Sequence, residues 1–153
     1  MRRQRRHASP PPSKVTVTSP SGRIRAISDP KASITRVEDT KSHRVLWSLP
    51  DWHRSLFVAD DGKHLVTECD GLNLIPTDFT DDLVLFTFWR DGRKLRDVRV
   101  RDFVPDHHIL EHTASHYYWG IVYGIDAQGR LKVERADGKV FFFDVSTGNT
   151  TKT

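Results

Sequence analysis

Short runs in which β-branched or aromatic residues alternate with polar ones recur along almost the whole chain. A period of two belongs to half-buried strands, because successive side chains of an extended backbone point to opposite faces. The pattern predicts strands at Arg23–Ser28, Ser33–Glu38, Arg44–Ser48, Ser55–Ala59, His64–Cys69, Leu83–Trp89, Lys94–Val100, Gly120–Ile125, Leu131–Arg135 and Val140–Val145. Between them stand "SPSG", "DDGK", "RDGR", "DAQG", "ADGK" and "STGN", turns whose glycine and Asp, Ser or Asn residues reach positive φ cheaply. Hairpin punctuation at such short intervals predicts antiparallel meanders. One segment departs from the period. In "VPDHHILEHTAS", Val104–Ser115, Asp106 follows Pro105 as an N-cap and Ile109, Leu110 and Ala114 share a face, so a short helical insert is predicted there.

The strands repeat in groups. "TSPSGRIRAIS", "VADDGKHLVTE" and "IDAQGRLKVER" each set a glycine turn and a basic residue before a strand, with the glycines at 22, 62 and 129. A second unit follows each: "ASITRVEDTKSHRVLWSL", "LVLFTFWRDGRKLRDVRV" and "KVFFFDVSTGN", the last of which reads as cut short after its turn. "DGKHLVTE", "DGKVFFFDVSTG" and "SHRVLWSLP" (Ser42–Pro50) resemble β-propeller blade repeats of the quinoprotein type, in which a DG turn, an apolar strand ending in Asp, a TG turn and a strand ending in Trp follow one another. The resemblance covers roughly residues 19–148. It implies a mainly β fold of propeller-like antiparallel meanders, about three incomplete blades, with the one helical insert. A blade takes about 40–45 residues and a ring needs at least about four blades, so the predicted arrangement is an open stack whose edge strands need cover.

At 153 residues the length fits one domain, and the predicted organisation is a disordered basic Pro-rich tail over residues 1–14, a β-rich domain over 15–149 and a flexible end at 150–153. Net charge sharpens that division. Residues 1–31 hold eight basic side chains against Asp29 alone, so a total of +4 leaves the remainder of the chain acidic. Arg2, Arg3, Arg5 and Arg6 are the candidate nucleic-acid contacts, since clustered arginines bind phosphates by releasing counterions. No apolar run reaches the ~20 residues that cross a bilayer, and the basic opening lacks an apolar segment behind it. As written the chain reads as cytoplasmic, and as periplasmic or secreted if a leader has been lost upstream. Cys69 is the only cysteine, which rules out an internal disulfide and reads as a buried small hydrophobe.

Candidate chemistry concentrates in "DHHILEHTASHYYWG". On a helix, His108 and His112 would stand at i and i+4 with Glu111 beside them, the H-x-x-E-H order of an inverted zinc-protease motif; Asp106 or His116 could add a ligand. His116, Tyr118 and Trp119 are ligand-binding candidates, because Tyr and Trp offer a flat apolar face with a polar edge; strand alternation would bury Tyr117 and Trp119 and expose Tyr118. The basic run "WRDGRKLRDVRVRDF" is diluted by Asp91, Asp97 and Asp102 and reads as a salt-bridged hairpin surface. The chain contains no Gly-rich phosphate loop, no G-x-S-x-G elbow and no Cys/His zinc spacing, so no cofactor is expected. Repetition without a convergent reactive set points to a non-enzymatic β-repeat module whose partner is another protein, or a second copy met through edge strands. The alternative is a metal-dependent hydrolase built on His108, Glu111 and His112.

Overall fold

Three antiparallel meanders follow one another along the chain, each of four strands paired in sequence order. A computed structural model describes residues 10–151. Arg2, Arg3, Arg5 and Arg6, most of the predicted tail, and the last two residues lie outside the described residues.

The first meander comprises β1 (Val15–Thr18), β2 (Ile24–Asp29), β3 (Ile34–Asp39) and β4 (Val45–Pro50). The second runs through β5 (Leu56–Val58) and β6 (His64–Glu68), is interrupted by β7 (Leu74–Pro76), and resumes with β8 (Val84–Arg90) and β9 (Arg93–Arg99). A one-turn helix, α1 (Val100–Phe103), and a 3-10 turn at His107–Ile109 lead to the short strands β10 (Glu111–His112) and β11 (His116–Tyr118). β10, β11 and β7 form a small separate sheet. The third meander is β12 (Gly120–Ile125), β13 (Arg130–Arg135), β14 (Val140–Asp144) and β15 (Asn149–Thr151).

Alternation decides how the meanders stack. In β2 the side chains of Ile24, Ala26 and Ser28 are buried and those between them are not. Ile24, Ala26, Val37 and Leu49 of the first meander pack on Leu56, Val58 and Leu65 of the second. The other face of the second meander, with Val66, Phe86, Phe88 and Val98, packs on Val122, Leu131, Val133 and Phe143 of the third. The middle meander is therefore covered on both sides, which is why β8 reads as a nearly continuous apolar run and why β6 buries His64 and Thr67 along with Leu65 and Val66. Gly62, at φ +69, closes the β5–β6 turn beneath the first meander. A Cβ there would stand 2.8 Å from Leu46, and the Gly62 carbonyl accepts from the Trp47 indole at 2.7 Å.

The result is a mainly β, propeller-like stack in agreement with the predicted class, but three details differ. The third meander is complete: polar "NTT" pairs with Phe142–Asp144 as an edge strand, so Thr150 and Thr151 belong to the sheet rather than to a flexible end. Alternation is invisible in three polar residues, and the pairing comes from the neighbour. The predicted helix over Val104–Ser115 is also absent. Asp106 does cap, accepting from the His108 amide at 2.9 Å, but the turn it starts ends at Ile109. Leu110 drops into the core and Thr113 closes a hairpin turn on the His116 carbonyl, so tertiary anchoring overrides a marginal local helix. Lastly, the structure adds β1 and the short β7, β10 and β11 to the predicted strands; "LIP", "EH" and "HYY" are too short to show a period, and "VTVT" borders the Pro-rich segment.

Candidate functional site

The predicted site residues scatter once the insert is seen as a hairpin. The His108 side chain is 96% exposed and its Nδ1 lies 2.8 Å from Asp106 Oδ1. Glu111 and His112 are adjacent on a strand, where neighbouring side chains take opposite faces. The helical i, i+4 relation that would have placed both imidazoles on one ion does not exist here. His112 instead packs edge-on against Tyr117, ring centroids 5.0 Å apart. Among the described residues no group of three or more His, Cys, Asp or Glu side chains could hold a metal ion.

Trp119 is fully buried. Its indole donates to the Leu72 carbonyl at 2.7 Å and its ring stacks on Phe86, which makes it a core residue and removes it from the ligand-binding candidates. His116 and Tyr118 are half-buried on β11, and the His116 imidazole Nδ1 lies 2.8 Å from the Ser115 hydroxyl. Cys69 is half-buried, and burial with the neighbouring Glu68 charge pushes its thiol up to about 11, far from a nucleophilic range. The basic hairpin is ion-paired as its sequence predicted: Asp97 takes Lys94 at 2.9 Å and Arg99 at 3.3 Å.

Tyr118 alone of the predicted residues leads to a larger surface. Burial, then the charges of Glu134 and Glu111, raise its phenol above the usual tyrosine range, which links it electrostatically to the third meander. Glu134 also accepts from the Tyr123 hydroxyl at 2.7 Å, a bond that raises the Tyr123 phenol as well. Cross-strand register places Ile121, Glu134 and Val140 in one row, and Lys132, Phe142 and Thr151 in the next. This is the face of the third meander turned away from the second. A bulge between Val122 and Gly124 adds Tyr123 to it, and bulges re-aim side chains in this manner. Tyr123 is 52% exposed and Val140 38%. Lys132 Nζ stands 4.7 Å from the Tyr123 ring centroid and the Arg130 guanidinium 5.0 Å from that of Phe142; such cations over aromatic faces hold rings flat and extended.

Sequence reasoning overlooked this surface, although a signal for it existed. "VFFFD" is apolar at successive positions, and with Phe143 inward, Phe142 must face out. A half-buried strand with polar residues on its free face would not read so.

No protein-family model and no curated protein sequence matches this chain. Solved structures do. Kuenenia stuttgartiensis hydrazine synthase aligns with 90% of this chain and 35% of its own, at 15% identity and a TM-score of 0.44. The RRP9 WD40 repeats align with 90% and 36%, at 12% identity and 0.46. The Myceliophteria thermophila Cps50 (Swd1) β-propeller domain aligns with 90% and 39%, at 9% identity and 0.40. The chain thus spans between 35% and 39% of the length of these solved chains.

Proposed function

We infer that the chain is a non-enzymatic, protein-binding β-repeat module that docks through the outward face of its third meander. The occupant is the same face of a second copy of this chain. The observation that carries this reading is the row of Ile121, Tyr123, Val140 and Phe142 on a sheet face that no other meander covers. Within the chain, meanders associate by laying sheet face on sheet face, and the uncovered face continues that mode of packing.

Charge distribution favours a self-complementary contact. Along β13 the outward side chains run Arg130, Lys132, Glu134; Arg130 is paired with Asp126 at 3.0 Å, so among the described residues Lys132 carries the free positive charge of the row. A two-fold, antiparallel apposition sets the cationic end of each row against the anionic end of the other, which steers and registers the pair. Burying the tyrosine and phenylalanine rings supplies the affinity, since aromatic anchors dominate interface energetics.

Sedimentation equilibrium on the chain and on a Tyr123→Ser/Val140→Lys variant tests this. The chain sediments as a concentration-dependent dimer and the variant as a monomer with an unchanged circular dichroism spectrum. A chain that stays monomeric at every concentration, or that dimerises equally well with both substitutions, overturns the reading. Recovery of such a monomer with a different protein seated on Tyr123 would give the face to another occupant.

A further inference from the structure

The outer junction of the second and third meanders contains a cavity that the docking face does not use. It measures about 260 Å³ and lies among β9, α1, β14 and β15. Three arginines line it, Arg96, Arg101 and Arg135, with Asp102 as the one lining carboxylate among the described residues. The same lining includes the rings of Phe103, Phe141 and Phe143.

The three guanidinium groups are not equivalent. Arg135 is immobilised: its Nε and Nη2 donate to Asp137 at 2.9 and 2.7 Å, and its Nη1 donates to the Phe103 carbonyl at 3.0 Å. That pairing holds the Asp137 carboxyl down to about 2, so the pair stays charged and internally neutralised. Arg101 pairs with Asp82. Arg96 is joined to no carboxylate among the described residues. Its Nη1 alone is engaged, donating to the Gly148 carbonyl at 2.7 Å and to Asn149 Oδ1 at 3.2 Å, both neutral acceptors. Gly148 makes this contact possible. It sits at φ +77, and a Cβ there would meet Phe88 at 3.0 Å and the Arg96 side chain at 3.1 Å. Arg96 is thereby anchored at one nitrogen while Nε and Nη2 keep their donors. An anchored guanidinium with one edge uncommitted is preorganised for a bidentate oxyanion. Asp102 spends Oδ2 on the Arg99 amide at 2.9 Å and does not compete for that edge.

We propose that this cavity binds an oxyanion carried on a short apolar stem, with Arg96 as the bidentate partner and the Phe103 and Phe141 rings seating the stem. Size agrees with that chemistry. An apolar cavity of ~150 Å³ accommodates a benzene ring, so about 260 Å³ takes a ring together with a carboxylate or phosphate.

The test uses the whole chain, ¹⁵N-labelled, and follows arginine Nε–H and backbone amide signals during titration with phenyl phosphate, benzoate and inorganic phosphate. Saturable shifts at Arg96 with phenyl phosphate or benzoate support the site, and the tighter of the two names the oxyanion. Phenyl phosphate binds at least about tenfold more tightly than inorganic phosphate, because the ring adds buried apolar area. Arg96→Ala weakens binding by about tenfold or more and Arg96→Lys, which retains charge but not the fork, does so in part. Arg93→Ala removes the same charge from an exposed position on the same strand and leaves binding unchanged. Equal losses in Arg93→Ala and Arg96→Ala, undiminished binding in Arg96→Ala, or shifts that never saturate overturn the proposal.

Discussion

The two ends of the stack differ in how their outer charges and rings are used. On the first meander the uncovered face carries Arg25, Ile27, Arg36, Glu38 and Ser48 in paired rows, with Val45, 48% exposed, opposite Glu38 and with Thr16 and Thr18 on its first strand. The Arg25 guanidinium bonds the Glu38 carboxylate and stands 3.2 Å from the His43 imidazole, so the charges there satisfy one another. On the third meander the equivalent face shows Tyr123, Val140 and Phe142, its cations lying over rings. An ion-paired outer face is suited to solvent; one that displays aromatic rings is suited to contact. The difference teaches that the repeated unit specifies the inward face while each end is adapted separately.

The largest expected effect comes from two neighbours on β14. Phe143→Ala opens the shared core of the second and third meanders and costs about 3–5 kcal/mol in denaturant unfolding, whereas Phe142→Ala, measured on monomer, costs about 1 kcal/mol. Equal losses would break the distinction between the two sides of the sheet. At the polar end, Arg25→Ala leaves Glu38, whose side chain is 9% exposed, without its cation, and thermal unfolding should register a loss of about 1–3 kcal/mol. An unchanged melting temperature would show that the pair does not hold that face together. Association separates the ends more finely. Val140→Lys weakens self-association by about tenfold or more in sedimentation, while Thr16→Lys leaves it unchanged; the reverse result would move the docking surface to the first meander.

The smallest effect sharpens the contrast with the covered middle meander. Glu68 ends β6 with Oε1 accepting from Ser55 at 2.8 Å and Oε2 buried without a partner among the described residues. Burial pushes its carboxyl above the usual range, against the lowering effect of Ser55. The folded protein therefore holds this proton after the unfolded chain has released it, so stability falls as pH rises from the unfolded value of about 4 through the raised one. Glu68→Gln should be more stable than the parent at neutral pH and lose that advantage in acid, as pH-dependent urea unfolding would show. A parent with the same pH profile as Glu68→Gln contradicts it.

Much of the architecture was legible because its signals are local. Glycine turns at 22, 62 and 129 mark where each meander opens, and the alternation of "IRAIS" or "RLKVE" states which residues turn inward. Strand alternation points Trp119 inward, although its flat ring with a polar edge also suits a ligand; its bond to Leu72, 47 residues earlier, makes it structural. His108, Glu111 and His112 misled for a related reason. Their spacing is a site only if the backbone is helical, and Leu110 and the Thr113–His116 turn pull that backbone into a hairpin.

By itself the chain's order of residues determined a sheet protein of repeated antiparallel units, with the inward side of each long strand chosen, since period and turn chemistry act over a few neighbours. Only the tertiary structure decided which sheet faces stay uncovered, that Tyr118 and Tyr123 share Glu134, and that Arg96 keeps an uncommitted edge between two meanders. Those properties depend on which strands and turns come to lie side by side, and no local pattern encodes what another strand will cover.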